Sequence, residues 1–366
     1  MHGATLRFLR QYFRPRADII DVADATFTRG NETLPATIYR RHNRTRYHTA
    51  WVVLHGITYR GRQHKGLQRF ASSMAAAGHL VFIPEIPEWS RFQVAPAFAV
   101  PTIRAAVHAL HARDDVDRDR IGLFAFSFGG TQSIIAASDA GIQAELKGLV
   151  SWGGYQSIRT LLEFGLTGEH SIDDENYQAE PDPYGRWIVG GNYLTRMSGF
   201  EDMDDVASAL LELATEAGKR GVYAGDPQFE PVKEQLSKRF TGEKLRTFDV
   251  FAPRGGVIDK DRTYARELIE PLTDTIITVD PLMDPRGALR NLSVKTFLAH
   301  GRDDRLIPFT ESLRASREIP QGVLAGCAIT GLFAHSGGTS NSLNTVGKVR
   351  EGRLFLSTLD RALNLI

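Results

Sequence analysis

The chain has 366 residues, and its acidic and basic side chains nearly cancel, 44 Lys and Arg against 43 Asp and Glu. Balanced charge gives no global field for nucleic acid, and no apolar stretch is long enough to span a bilayer. A single cysteine, Cys327, excludes an internal disulfide and points to a reducing, cytoplasmic setting.

The N-terminal stretch MHGATLRFLRQYFRPRAD is basic and carries Leu6, Leu9 and Phe13 at helical spacing. It lacks the continuous apolar core and small-residue cleavage site of a secretory signal. Such a segment rests on a membrane surface or packs on the body of the protein, and packing is the expectation. Two extended stretches follow, near residues 19–28 and 34–40. TAWVVLHG (49–56) reads as a buried strand that ends in glycine. KGLQRFASSMAAAGH reads as a helix, with Leu67, Phe70 and Met74 on one face and Gly78 as its stop. HLVFIPEIP is the next strand. Residues 96–113 form a helix with proline in its first turn. RIGLFAF (120–126) is a strand, residues 129–137 a helix, and LKGLVSW (146–152) a strand again.

Alternating strands and helices, with runs such as Val52-Val53-Leu54 apolar on both sides, imply a mostly parallel sheet with helices on both faces. The rhythm breaks between about residues 157 and 291, where the pattern is mainly helical. It resumes with a strand at 293–301, a helix near 311–317, a strand near 323–329 and a closing helix over 342–363. The division expected is an N-terminal segment (1–32), an α/β core (33–155 and 292–366) and an inserted helical cap (156–291). A helical block inserted in such a sheet is usually a lid over a site at the strand ends.

FAFSFGG places Ser127 between a strand and a helix, with small residues two before and two after it. That is the pattern of a nucleophile elbow, which holds a serine hydroxyl above the sheet at a helix N-terminus. The competing reading is a helix N-cap. A serine hydroxyl needs a base, and only His170, His300 and His335 follow it in the chain. His170 lies in the inserted block and His300 ends a strand, which leaves His335 in the glycine-rich loop GLFAHSGG. The carboxylate that orients such a base comes from HGRDDRLIP, with Asp304 chosen and Asp303 the fallback. The oxyanion formed on a carbonyl needs two donors. The N–H of Phe128, next after the serine, and the N–H of Ile57, in the loop that follows His55-Gly56, are the candidates. His55 braces that loop.

Together, HGITYRG, FAFSFGG, HGRDDRLIP and FAHSGG resemble the α/β-hydrolase fold family in order and spacing, over roughly residues 33–155 and 292–366. The resemblance implies a Ser127–Asp304–His335 triad, with the Ile57 and Phe128 amides as oxyanion hole and the insertion as cap. Ala125 stands where the family usually has glycine and keeps the small size. A serine in place of aspartate argues against the family's dehalogenases and epoxide hydrolases, and the HGGG signature of lipases is absent.

The reaction expected is hydrolysis of a small-molecule carboxylic ester through an acyl-enzyme, with no metal or organic cofactor. An amidase, peptidase or thioesterase would use the same triad. A non-catalytic, ligand-binding member of the fold would need none of it. Of the aromatic residues near the strand ends and cap, Trp152 and Tyr155 are the expected substrate contacts. His108 and His111 share a helix face but lack a third ligand, so no metal site is expected. Charge is unevenly spread. Arg60, Arg62 and Lys65 follow the oxyanion loop, and acidic residues crowd the stretch from Asp173 to Asp205. The two surfaces either help dock the cap or, in the sharper reading, the basic loop recruits an anionic substrate; docking is the expectation.

Overall fold

The computed structural model describes residues 2–44, 46–47, 49–221, 224–256, 261–331 and 345–366. In chain order the elements are α1 (Gly3–Phe13), β1 (Ile20–Arg29), β2 (Glu32–Arg41), β3 (Ala50–Leu54), α2 (Lys65–Ala77), β4 (Leu80–Pro84), α3 (Pro87–Ser90), α4 (Pro96–His111), β5 (Ile121–Phe126), α5 (Phe128–Ala137), α6 (Ala140–Gln143) and β6 (Gly148–Trp152). A long insertion follows: α7 (Ile158–Thr167), β7 (Glu169–Ile172), β8 (Glu175–Gln178), α8 (Pro183–Tyr193), α9 (Asp204–Arg220), α10 (Glu230–Ser237), α11 (Gly242–Phe251), α12 (Arg262–Val279) and α13 (Arg286–Arg290). The sheet resumes with β9 (Thr296–Gly301), α14 (Thr310–Glu318), β10 (Leu324–Thr330) and α15 (Thr345–Leu363).

Eight strands form one sheet in the order β1-β2-β4-β3-β5-β6-β9-β10. Only β2 runs against the rest. This is the α/β-hydrolase fold expected from the sequence. The central strands β3 and β4 are buried at every position, as strands covered on both faces must be. One sheet face packs on α1, α2 and α15 through Trp51, Val53, Phe124, Val150 and Trp152. The other carries Val52, Leu54, Leu123 and Ala125 into a core continuous with the insertion.

The chain order reverses at β3, because β4 pairs on one side of it and β5 on the other. Loops leaving β3 and β5 therefore run toward opposite faces of the sheet from their carboxyl ends, the position at which such sheets bind ligands. These two loops carry Gly56 and Ser127.

The N-terminal helix packs on the body. Phe8 is buried against Phe70, Thr5 donates to Asp360 at 2.6 Å, and Arg69 donates to the Tyr12 carbonyl at 2.6 Å. The insertion is mainly helical but also holds a hairpin that the helical reading did not anticipate. Its strands are four residues each and polar, so they leave no apolar alternation to detect. A two-residue turn, Asp173-Asp174, joins them, with Asp173 at a φ of 53°, which aspartate tolerates.

Candidate active site

Strand β5 ends in a turn whose backbone is unusual. Ser127 has φ 57° and ψ −135°, a region that costs a residue with a Cβ about 1–3 kcal/mol. Its N–H donates to the Trp152 carbonyl at 2.8 Å, one step beyond the β5–β6 ladder, and its carbonyl accepts from Gly130 N–H at 2.8 Å. The hydroxyl makes no capping bond to α5, so the N-cap reading fails on geometry. It sits instead at the positive end of that helix, where the first-turn amides point outward.

Close packing explains the small residues around it. A Cβ at Gly129 would lie 2.2 Å from the His55 carbonyl oxygen, and one at Gly130 would lie 2.5 Å from Ser151 Oγ. A Cβ at Gly56 would come within 2.9 Å of Ser127 Cβ and 3.0 Å of its Oγ. The β3 loop thus passes over the serine as bare backbone.

His55 controls how that loop presents itself. Its Nδ1–H donates to the Gly56 carbonyl at 2.5 Å, and its ring meets Trp89 edge-on at 5.5 Å. The Gly56 carbonyl belongs to the same peptide plane as the Ile57 N–H, and in a trans peptide the two point in opposite directions. Drawing the carbonyl toward His55 therefore turns the Ile57 N–H away from it. Burial holds the imidazolium pKa of His55 below its usual value, so the ring is neutral and its donor is fixed on Nδ1. Trp89 also packs edge-on against Phe128, at 5.3 Å, and so braces both loops. From the insertion, Tyr184 Oη donates to the Ile57 carbonyl at 3.3 Å. Sequence reading singled out neither Tyr184 nor this role of Trp89. Among the described residues, no acceptor is recorded for the N–H of Ile57 or of Phe128.

In the turn after β9, Asp304 is buried, and its Oδ1 accepts from the N–H of Leu306 at 2.9 Å and of Ile307 at 3.1 Å. Its Oδ2 lies 3.6 Å from His300 Nε2. Asp303 is only partly buried. His300 is engaged at both ring nitrogens: Nε2–H donates to the Ile307 carbonyl at 2.9 Å, and Nδ1 meets Ser312 Oγ at 2.7 Å. It shapes the turn that holds Asp304. His170 sits in the hairpin between Tyr177 and Phe309, where burial, with Arg314, lowers its pKa to about 4. His335 lies outside the described residues.

The two expected substrate contacts are placed differently from one another. Trp152 belongs to the sheet face covered by α15, beside Phe124, Phe126 and Phe355. Tyr155 lies on the Ser127 side, stacked on Phe128, with its Oη donating to the Met283 carbonyl at 2.9 Å. Each is 1% exposed, so neither presents accessible surface to a ligand in this conformation.

The charged surfaces meet other partners than one another. Arg62 is paired with Glu85 at 3.4 Å and Asp24 at 3.2 Å. Arg60 donates to the Lys219 carbonyl at the end of α9, at 3.2 Å, which ties the loop after β3 to the insertion. Among the described residues the acidic stretch is held elsewhere, with Asp173 on Arg317, Glu180 on Arg305 and Asp205 on Lys244. His108 pairs with Glu145, and no group of three potential metal ligands occurs among the described residues.

No family model matches the chain, and no curated protein matches it. Solved structures that resemble it include an acylaminoacyl peptidase of Pyrococcus horikoshii, at 13% identity and TM-score 0.48 over 96% of this chain and 43% of that one. Dipeptidyl peptidase 4 of Porphyromonas gingivalis is similar at 12% identity and TM-score 0.46, over 96% of this chain and 37% of that one. A dienelactone hydrolase-like promiscuous phosphotriesterase, P91, from metagenomic libraries is similar at 10% identity and TM-score 0.45, over 94% and 98% of the two chains. The chain spans less than half the length of either peptidase. The fold rests on the strand order above and not on these scores.

Proposed function

We propose that the chain is a serine hydrolase that cleaves carboxylic esters through an acyl-enzyme. Ser127 is the nucleophile, His335 its general base, Asp304 the carboxylate that orients the imidazole, and the Ile57 and Phe128 amides the oxyanion hole. The observation that carries this reading is Ser127 itself: a serine in a strained backbone conformation at a helix N-terminus, capping nothing, with the side-chain-free backbone of Gly56 packed close to its hydroxyl. Strain of this kind persists where surrounding structure enforces it and is a mark of functional sites.

In the reaction, Ser127 Oγ attacks the ester carbonyl as His335 takes its proton. The carbonyl oxygen becomes an oxyanion between the two amides, and His335 protonates the departing alkoxide. Water then repeats the sequence on the acyl-enzyme and releases the acid. An alkoxide leaves with less help from a proton donor than an amine does, which favours esters over amides at such a site. The insertion (156–291) acts as a cap on the core (33–155 and 292–366). Ser127 is only 8% exposed, and a Cβ at Gly218 of α9 would lie 2.5 Å from Tyr59 Cβ on the oxyanion loop. Substrate entry therefore requires the cap to lift.

Steady-state rates on matched ester, thioester and anilide substrates of one acyl group test this. The proposal expects the ester to give the highest kcat/KM, with the activity abolished in Ser127→Ala. A faster anilide would reassign the chain as an amidase, and equal residual rates in Ser127→Ala would remove the serine mechanism.

A further inference from the structure

The N-terminal helix has a second face that packing on the body leaves unused. Thr5, Phe8 and Gln11 point inward and are buried. On the opposite side, Gly3, Leu6, Arg7, Arg10 and Phe13 fall within an arc of about 120° at 100° per residue, and exposed Arg14 follows at the helix C-cap. Leu6 is 53% exposed and Phe13 69%, the highest value for any large hydrophobic residue among those described. Phe13 is held outward by an edge-to-face contact with Tyr12 at 5.5 Å, and Tyr12 is itself stacked on Phe8.

The charge on this arc has one sign. Arg10 and Arg14 have no ion-pair or hydrogen-bond partner through their side chains among the described residues, and Arg7 is engaged only at the Ala77 carbonyl, at 2.9 Å. The neighbouring acids are neutralised: Asp18 pairs with Arg16 at 2.5 Å, and Asp360, on the body side, holds His2 and Thr5. Beyond Arg7, positive charge continues at the C-terminal end of α2, where Arg44 lies against Gly78 and, among the described residues, pairs with no carboxylate. Exposed apolar side chains flanked by unpaired arginines do not suit a soluble anion, which has nothing to offer Leu6 and Phe13. They suit an interface with acidic headgroups outside and acyl chains beneath.

We propose that this outward face of α1 docks the protein on an anionic lipid surface, with Leu6 and Phe13 entering the headgroup–acyl boundary and Arg7, Arg10 and Arg14 contacting acidic headgroups. With two apolar side chains and a few charges, attachment is reversible.

Co-sedimentation of the full chain with mixed phosphatidylglycerol–phosphatidylcholine vesicles tests this against pure phosphatidylcholine. The expected result is binding to the anionic vesicles, weakened about tenfold or more without the acidic lipid and also weakened by added salt. Two separate variants, Leu6→Ser with Phe13→Ser and Arg10→Glu with Arg14→Glu, should each weaken it about tenfold with melting temperature unchanged, since all four side chains are outward. Failure to bind anionic vesicles overturns the proposal, as does binding that survives both variants. Concentration-dependent dimerisation lost in Leu6→Ser with Phe13→Ser, without lipid binding, would assign the face to a second copy instead.

Discussion

Gly56 and Ser127 stand so close that one methyl group at position 56 would reach 3.0 Å from the serine hydroxyl. That approach is tighter than ordinary van der Waals contact, and it falls where a carbonyl attacked by Ser127 Oγ would lie. Gly56→Ala should lower kcat about 100-fold while costing only about 1–2 kcal/mol of stability, the usual scale of mild overpacking. Ester turnover beside a thermal melt checks this. Normal turnover would mean that the Gly56 loop does not border the reacting atoms.

His55 acts at one remove, by turning the Gly56–Ile57 peptide. Removing one oxyanion donor outright costs about 100- to 1,000-fold in kcat. A donor that is misaimed but present should cost less, so His55→Ala is expected to lose about 10- to 100-fold in kcat with KM little changed. His55→Asn, which keeps a short donor near the Gly56 carbonyl, should recover part of the loss. A purely structural role would instead lower the melting temperature without this kcat-specific pattern.

Asp304 and Asp303 are adjacent in sequence and differ in environment. The first is buried on two backbone amides, and the second is partly exposed. Asp304→Asn should reduce kcat by up to about four orders of magnitude, as expected when the orienting carboxylate loses its charge. Asp303→Asn should stay near wild type. The reverse ranking would move the carboxylate role to Asp303.

Stability should fall as pH drops below neutrality, and His79 supplies one source. Burial, with Arg44, Arg7 and Arg120 nearby, lowers its pKa from 6.5 to about 4. The unfolded chain takes up a proton near pH 6.5 and the folded chain only near pH 4, so stability is full above 6.5 and declines toward 4. His79→Asn, which does not titrate but can still meet Thr49, should flatten the melting-temperature profile over that window. An unchanged slope would place the titration elsewhere.

Much of the fold was legible because its signals are local. The β/α rhythm, Gly78 closing α2 and the small residues flanking Ser127 each express a constraint within a few positions. Less legible were contacts that join distant segments. Glu311 is fully buried and accepts from the N–H groups of Gln156 and Ser157, so α14 anchors the start of the insertion across 155 residues. Tyr184 reaches the Ile57 carbonyl, in the loop after β3, across 127 residues. Trp152 could not be assigned to a face because β6 is buried at every position and carries no alternation. The hairpin of β7 and β8 is too short and polar to register.

Covalent labelling is the sharpest probe of whether Ser127 is an activated nucleophile. The protein would be incubated with a fluorophosphonate probe, the modified residue mapped by mass spectrometry, and Ser127→Ala carried alongside. An activated Ser127 gives a single adduct at that residue that is absent in the variant. Folded protein that takes no label, or labels equally in Ser127→Ala, would contradict it and favour a ligand-binding member of the fold.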